Sequence, residues 1–277
     1  MNVLVSVDME GITGVTGPQD TTPDTPGWSR FRTIMTRDVN AAVAGAIDAG
    51  AASVLVTEAH NGYRSVLLEE LDNRALLLSG RLRTYGMLEG IDRNIDMVLF
   101  VGYHAPAGSA GVLSHTFYAS ALTDMRVNGR RCSESLFNAL LAGSYGVGVG
   151  MISGDDIACQ DAREVIPGIE TVEVKRAVDR FTAICIPPGR TEQMIRTGAA
   201  AAVRNPSAHP PIRIEPPLIW ETHWVGTNSV TMGSWVPGVQ VVDPHTLRWV
   251  SGDMESSMRM WNTVATMAGA ALEGRFM

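Results

Sequence analysis

An α/β fold, with a mainly parallel sheet, flanking helices and a smaller C-terminal α+β part, is the class this sequence predicts. Three observations carry the prediction. Short apolar runs rich in Val, Ile and Leu recur along the first 155 residues, as buried parallel strands do. Helical patterns lie between them, and that alternation favours a parallel sheet. Each run also ends in polar side chains, where open parallel sheets meet a binding crevice.

The first run is Val3–Val7. No basic stretch precedes it, so it reads as a strand and not as a signal peptide. A helix is expected over 31–49, with Ile34, Val39, Ala42, Val43, Ala46 and Ile47 at helical spacing and Gly50 at the C-cap position. Strands follow at Ser53–Thr57 and Met97–Gly102. A second helix covers Ser133–Ala142, with Leu136, Leu140 and Leu141 on its apolar side, and Gly148–Ser153 is the fourth strand. After Pro187 the pattern changes. An Ala-rich helix (Arg190–Arg204) leads into the breaker cluster "NPSAHPP", residues 205–211. A strand broken by a Pro pair (Ile212–Val225), a hairpin across "DPHT" (Val239–Val242 with Leu247–Val250) and a last helix (Ser251–Leu272) complete the chain. The expected organisation is an α/β catalytic, metal-binding domain over 1–187. A smaller α+β domain over 188–277 would serve oligomerisation or a pocket wall.

The 277 residues carry a net charge of −7, which disfavours a general nucleic-acid surface. No run approaches the roughly 18 apolar residues of a membrane span. Cys132, Cys159 and Cys185 are odd in number and lack CxxC spacing, so reduced thiols in the cytoplasm are expected. "GMLEG" and "GVGVG" lack a P-loop lysine and the GxGxxG context, which argues against a nucleotide-binding module.

The strand ends carry the chemistry. The first delivers Asp8 and Glu10, the second Glu58 and His60, the third His104, and the fourth Asp155 and Asp156. Each alone has an ordinary structural use: a turn cap, a hydrogen-bonded histidine, a helix N-cap. Gathered on one sheet edge, the carboxylates would repel one another, and a divalent cation relieves that. A mixed carboxylate and imidazole set suits zinc, with manganese or cobalt as alternatives. Asp8 and Glu10, two residues apart on an extended chain, face the same way, and one carboxylate can bridge two ions about 3.5–4 Å apart.

Five ordered motifs go further. "SVDMEGITGV" (6–15), "VGYHAPAG" (101–108), "LSHTF" (113–117), "VNGRRCSES" (127–135) and "SGDD" (153–156) resemble the M55 family of metallopeptidases, the D-aminopeptidases. The resemblance runs to about residue 165 and is fainter beyond. It implies a binuclear zinc aminopeptidase, with two Zn2+ per chain, acting on small peptides or amides that begin with a D-residue. It implies metal ligands at Asp8, Glu10, His60, His104 and Glu134, and a catalytic histidine at His115. It also implies a homo-oligomeric ring, a pentamer paired into a decamer.

By pattern alone Glu134 is a first-turn helix acid of the kind that favours the helix dipole; only the resemblance makes it a ligand. Glu58, Asp155 and Asp156 are expected behind the ligands or as caps. One departure stands out. The family shows Asp-Ser-His-Gly after the second strand, and this chain has Glu58-Ala59-His60-Asn61-Gly62. The longer acid and the missing serine bear on how His60 is oriented. His115 suits proton transfer to the leaving amine or stabilisation of the oxyanion, and a nucleophilic role stays open. Two other readings also stay open: an amidohydrolase acting on another small metabolite, and a metal-binding ring scaffold without peptidase activity. Outside the motifs, His209 and His245 are expected to be exposed, and "ETHW" (221–224) to be a solvated strand face. Met254, Met258, Met260 and Met267 are expected to fill the core. Trp220, Trp224 and Trp235 are candidates for a pocket or a subunit contact.

Overall fold

In the computed structural model, which describes residues 1–272, the chain runs β1 (Asn2–Val7), α1 (Pro18–Thr21), α2 (Pro26–Asp48), β2 (Ser53–Glu58), β3 (Ala75–Leu78), β4 (Met97–Val101), β5 (Leu122–Val127) and β6 (Arg130–Arg131). It continues through α3 (Glu134–Ser144), β7 (Gly148–Asp155), α4 (Asp156–Val165), β8 (Glu170–Asp179), β9 (Thr182–Cys185) and α5 (Pro188–Arg204). The last elements are β10 (Leu218–Trp224), α6 (Thr227–Gly233), β11 (Gln240–Asp243), β12 (Thr246–Ser251) and α7 (Met254–Ala270).

The expected α/β architecture is present. A seven-stranded sheet has the order β3-β2-β1-β4-β7-β8-β9. All its pairings are parallel except β8 with β9. The four expected strands are β1, β2, β4 and β7. β3 and β8 extend the sheet on either side; both are partly exposed, so their apolar patterning is weaker. The central strands are apolar on both faces because both faces are covered. Val3, Val5 and Val7 of β1 pack with residues of α2 and α5, including Met35, Val39 and Ile195. Leu4, with Phe100 of β4, faces the other way into a core shared with α3, α7 and the second sheet. This is the two-residue period of a strand used on both sides.

The second sheet is antiparallel, in the order β11-β12-β10-β5-β6. It joins strands from before residue 187 (β5, β6) to strands from after it (β10 to β12). α5, which begins at Pro188, lies along α2 on the first sheet. Trp220 and Trp224 are fully buried inside this layer, stacked near Trp249 and Trp261. They are core residues, whereas Trp235 is exposed. Met254 and Met258 are buried in the same core, with Met260 and Met267 packed against it.

In the first sheet, β1 leads outward to β2 and β3 on one side and has β4 on the other. The chain therefore reverses its direction of travel between β1 and β4. Ligands of open α/β sheets sit beyond the carboxyl ends of the strands at such a point.

Candidate metal centre

Asp8 and Glu10 lie just past the end of β1, and His104 three residues past β4. The two turns touch: Asp8 N–H donates to Val101 O at 2.9 Å and Gly11 N–H to Gly102 O at 2.8 Å. A Cβ on Gly11 would lie 1.9 Å from the Tyr103 carbonyl, so only glycine lets the chains cross here. Tyr103 locks the scaffold from below. Its hydroxyl meets Ser6 Oγ of β1 at 2.8 Å and Asn138 Nδ2 of α3 at 3.2 Å. α3 brings Glu134 in its first turn, capped by Ser133, which accepts from Leu136 N–H at 3.2 Å.

Asp8, Glu10, His60, His104, His115 and Glu134 are all buried and converge. Asp8 sits between two imidazoles. Its Oδ1 is 3.4 Å from His60 Nδ1 and its Oδ2 is 3.4 Å from His104 Nε2. Glu10 Oε2 is 3.1 Å from His60 Nδ1, and Glu134 Oε1 is 3.3 Å from His104 Nε2. The His115 ring stacks on His104 with centroids 3.9 Å apart, its Nε2 3.9 Å from Glu134 Oε1. Ligating atoms of Asp8, Glu10 and His104 lie within 4.8 Å of one another, as do those of His104, His115 and Glu134.

Backbone carbonyls set the ring tautomers. His60 Nε2 meets Thr21 O at 2.8 Å, His104 Nδ1 meets Ala105 O at 3.1 Å, and His115 Nδ1 meets Leu113 O at 2.8 Å. Each of these nitrogens donates to its carbonyl, so in the neutral ring the opposite nitrogen presents its lone pair to the cluster. Leu113 and Phe117 hold φ of +51° and +57°, a strained region for side-chain-bearing residues. What that strain maintains is visible: the Leu113 carbonyl faces His115, and Phe117 N–H donates to Glu134 Oε1 at 2.6 Å.

The electrostatics ask for a cation. Burial pushes His104 and His60 down, but Glu134 and Asp8 beside His104, and Glu10 and Asp8 beside His60, outweigh it and hold both imidazoles well above 6.5. Burial likewise raises Asp8, and the two histidines overcome it, leaving the carboxyl well below its ordinary value. Without a metal the cluster is balanced only by protons on its histidines. His104 Nε2 is buried with no hydrogen-bond partner, although two carboxylates stand within 3.4 Å. A buried ring nitrogen without a hydrogen bond, facing carboxylate oxygens, fits a divalent cation in place of the proton, and the O/N donor set suits zinc.

A profile of the M55 peptidases, described as D-aminopeptidase, matches residues 1–263. The chain belongs to the M55 peptidase family. A D-aminopeptidase of Bacillus subtilis (strain 168) is 32% identical over 243 residues, which is 87% of this chain and 88% of that protein. A solved structure of the Zn-dependent D-aminopeptidase DppA from Bacillus subtilis, a self-compartmentalizing protease, matches with a TM-score of 0.94 at 29% identity. The match covers 97% of this chain and 98% of that one.

In this M55 chain three sequence-derived candidates stand outside the cluster. Glu58 is fully buried and turns away to the backbone N–H groups of Ser65 and Val66, pinning the 61–66 loop. His60 is oriented by the Thr21 carbonyl, so the longer acid at 58 acts on the loop and not on the histidine. Asp155 caps α4, accepting from Ala158 N–H at 2.7 Å, and holds Val112 N–H at 2.5 Å on the loop that carries His115. Asp156 accepts from Ala177 N–H at 2.8 Å on β8.

Other participants left no signal in the sequence. Thr21 contributes only a carbonyl. Lys175 is buried on β8, and its Nζ donates to the carbonyls of Glu10, Ile12 and Val15 at 2.6, 2.9 and 2.7 Å. It fastens the turn that carries Glu10. A cavity of about 590 Å³ opens in front of the cluster, walled by Met87, Phe117, Met258 and Trp261 and bordered by Tyr63, Arg81 and Arg83. His209, expected to be exposed, is buried, because its loop packs onto the bare backbone of Gly148 and Gly168. His245 is half-buried, with Nδ1 3.0 Å from the Trp224 carbonyl. In "ETHW", Glu221 pairs with Arg248 and His223 is exposed, as a solvated strand face requires.

Proposed function

We propose that the chain is a binuclear zinc aminopeptidase that removes an N-terminal D-amino acid from short peptides. The observation that carries this reading is the Asp8 carboxylate, set between His60 and His104 with one oxygen facing each. That is the disposition of a group shared by two ions. Glu10 and His60 would complete one position, and Glu134 and His104 the other. Bound there, zinc supplies a polarised carbonyl and a water acidic enough to ionise near neutral pH.

The chain's own residues do the rest. His115, with Nδ1–H committed to Leu113, keeps Nε2 free beside Glu134 to accept a proton and return it to the leaving amine. Met87, Phe117, Met258 and Trp261 offer an apolar wall that limits water. A second reading makes His115 a ligand, since its Nε2 groups with His104 and Glu134. The metal content of a His115 variant separates the two.

We also propose self-assembly, the property that names DppA as self-compartmentalizing. The outer face of the antiparallel sheet exposes Ile219 and Val250, paired across β10 and β12, and Trp235 is exposed nearby in sequence. A reducing, cytoplasmic setting is supported by three free cysteines, two of them buried. Among the described residues no helix is long and apolar enough to cross a membrane.

The test is hydrolysis of matched D- and L-aminoacyl dipeptides with and without chelator. Chelator-sensitive cleavage of the D-series is the expected result. Cleavage of neither series by the zinc-loaded protein would remove the peptidase reading.

A further inference from the structure

The cavity in front of the cluster has two different ends. Its buried end carries Asp8, Glu10 and Glu134, whose charge the proposed zinc ions would offset, and its border carries Arg81 and Arg83. These arginines are in different states. Arg83 is spent on the fold: it donates to the carbonyls of Leu78, Gly80 and Glu58 and to Thr57 Oγ1, and lies over the Tyr63 ring at 4.1 Å. Arg81 donates once, from Nη2 to the Asn61 carbonyl at 3.1 Å. Among the described residues it has no carboxylate partner, and its exposed side chain lines the cavity.

The single bond of Arg81 fixes where its charge sits. Asn61 directly follows His60, so the guanidinium is anchored one residue from a member of the cluster. Tyr63 lines the same cavity beside the two arginines. An extended dipeptide spans about 7 Å from amine to carboxylate. A substrate whose amine reaches the cluster extends its opposite terminus outward through the cavity, whose border carries Arg81. A guanidinium with open donors is suited to a carboxylate, which it can grip through two parallel bonds.

We propose that Arg81 is a specificity residue that binds the free α-carboxylate of the substrate. The site would thereby prefer zwitterionic short peptides, dipeptides first, over peptide amides of the same length. The inference rests on the aminopeptidase reading above and adds to it the recognition of the second terminus.

The experiment compares D-alanyl-D-alanine with its C-terminal amide, two peptides that differ in that charge alone. KM is measured for both with the zinc-loaded wild-type chain and with Arg81→Gln, a substitution at an exposed side chain that removes the charge and keeps a polar end. In the wild type the amide is expected to show a KM about tenfold higher than the acid, the weight of one charge-assisted pair. In Arg81→Gln the ratio of the two KM values is expected to fall to about one, through a rise for the free acid. The wild-type preference is also expected to shrink as salt is raised, because the pair sits at an exposed border. Cleavage of both peptides with equal KM in the wild type would overturn the assignment and leave the peptidase reading intact. So would a preference that persists in Arg81→Gln. Cleavage of neither would overturn the peptidase reading and this assignment with it.

Discussion

Replacing Lys175 by Met tests how the turn carrying Glu10 is held. The side chain keeps its length and loses its ammonium, so the carbonyls of Glu10, Ile12 and Val15 lose their donors. A buried carbonyl left unpaired costs about 1–3 kcal/mol, so three cost roughly 6 kcal/mol at mid-range. Against this, the variant no longer buries a charge. Burial lowers the Lys175 pKa from 10.5 to about 8, which corresponds to roughly 3 kcal/mol at about 1.4 kcal/mol per pH unit. The expected net loss is about 3 kcal/mol. Urea denaturation of chelator-treated wild type and Lys175→Met reads that loss without a contribution from bound metal. A competition titration with a zinc chelator is expected to show weaker zinc binding as well. A variant within about 0.5 kcal/mol of wild type, the range of an ordinary surface change, would refute the reasoning.

His115→Ala is expected to keep its zinc and lose about 10²–10⁴-fold in kcat, the usual weight of a proton-transfer residue; elemental analysis beside steady-state kinetics decides, and loss of an ion would make His115 a ligand. Asp155→Ala removes the α4 cap and the bond to Val112 N–H, so about 2–4 kcal/mol of stability should go, with kcat lowered and zinc retained. Chelated protein should lose stability as pH rises. His60 and His104 have folded values raised above 6.5, so their contribution is complete below about 6.5 and disappears as pH climbs through the raised values. Asp8, held below 3.8, works at the other limit: its contribution is present above 3.8 and lost as pH falls through its lowered value. Thermal melts of chelated protein between pH 4 and 8.5 check the histidine part, and a melting temperature that climbs steadily from pH 6 to 8.5 would contradict it. Zinc-loaded protein should move the opposite way, because zinc displaces those protons.

Much of the centre was legible because parallel strands impose a direction. Asp8, His60 and His104 follow apolar runs, and a sheet that places those runs side by side must bring their ends together. Glu134 was legible only through its motif, since a glutamate in a first helical turn has a sufficient reason to be there. Thr21 left no trace because any residue offers a carbonyl. Lys175 left none because a lone lysine on a partly exposed strand gives no hint of being the one residue turned inward under the β1 turn. His209 was misplaced for a related reason: a Pro-rich segment reads as surface, and its burial comes from two distant glycines, Gly148 and Gly168. The second sheet was partly hidden because β5 pairs with β10 roughly 95 residues away, a partnership that local patterning does not register.

Zinc bound per chain, measured by elemental analysis in the wild type and in Asp8→Ala, tests the proposed binuclear centre most directly. A carboxylate shared between His60 and His104 predicts about two zinc ions in the wild type and loss of most of both in the variant. A single ion in the wild type, or two ions retained by Asp8→Ala, would contradict it.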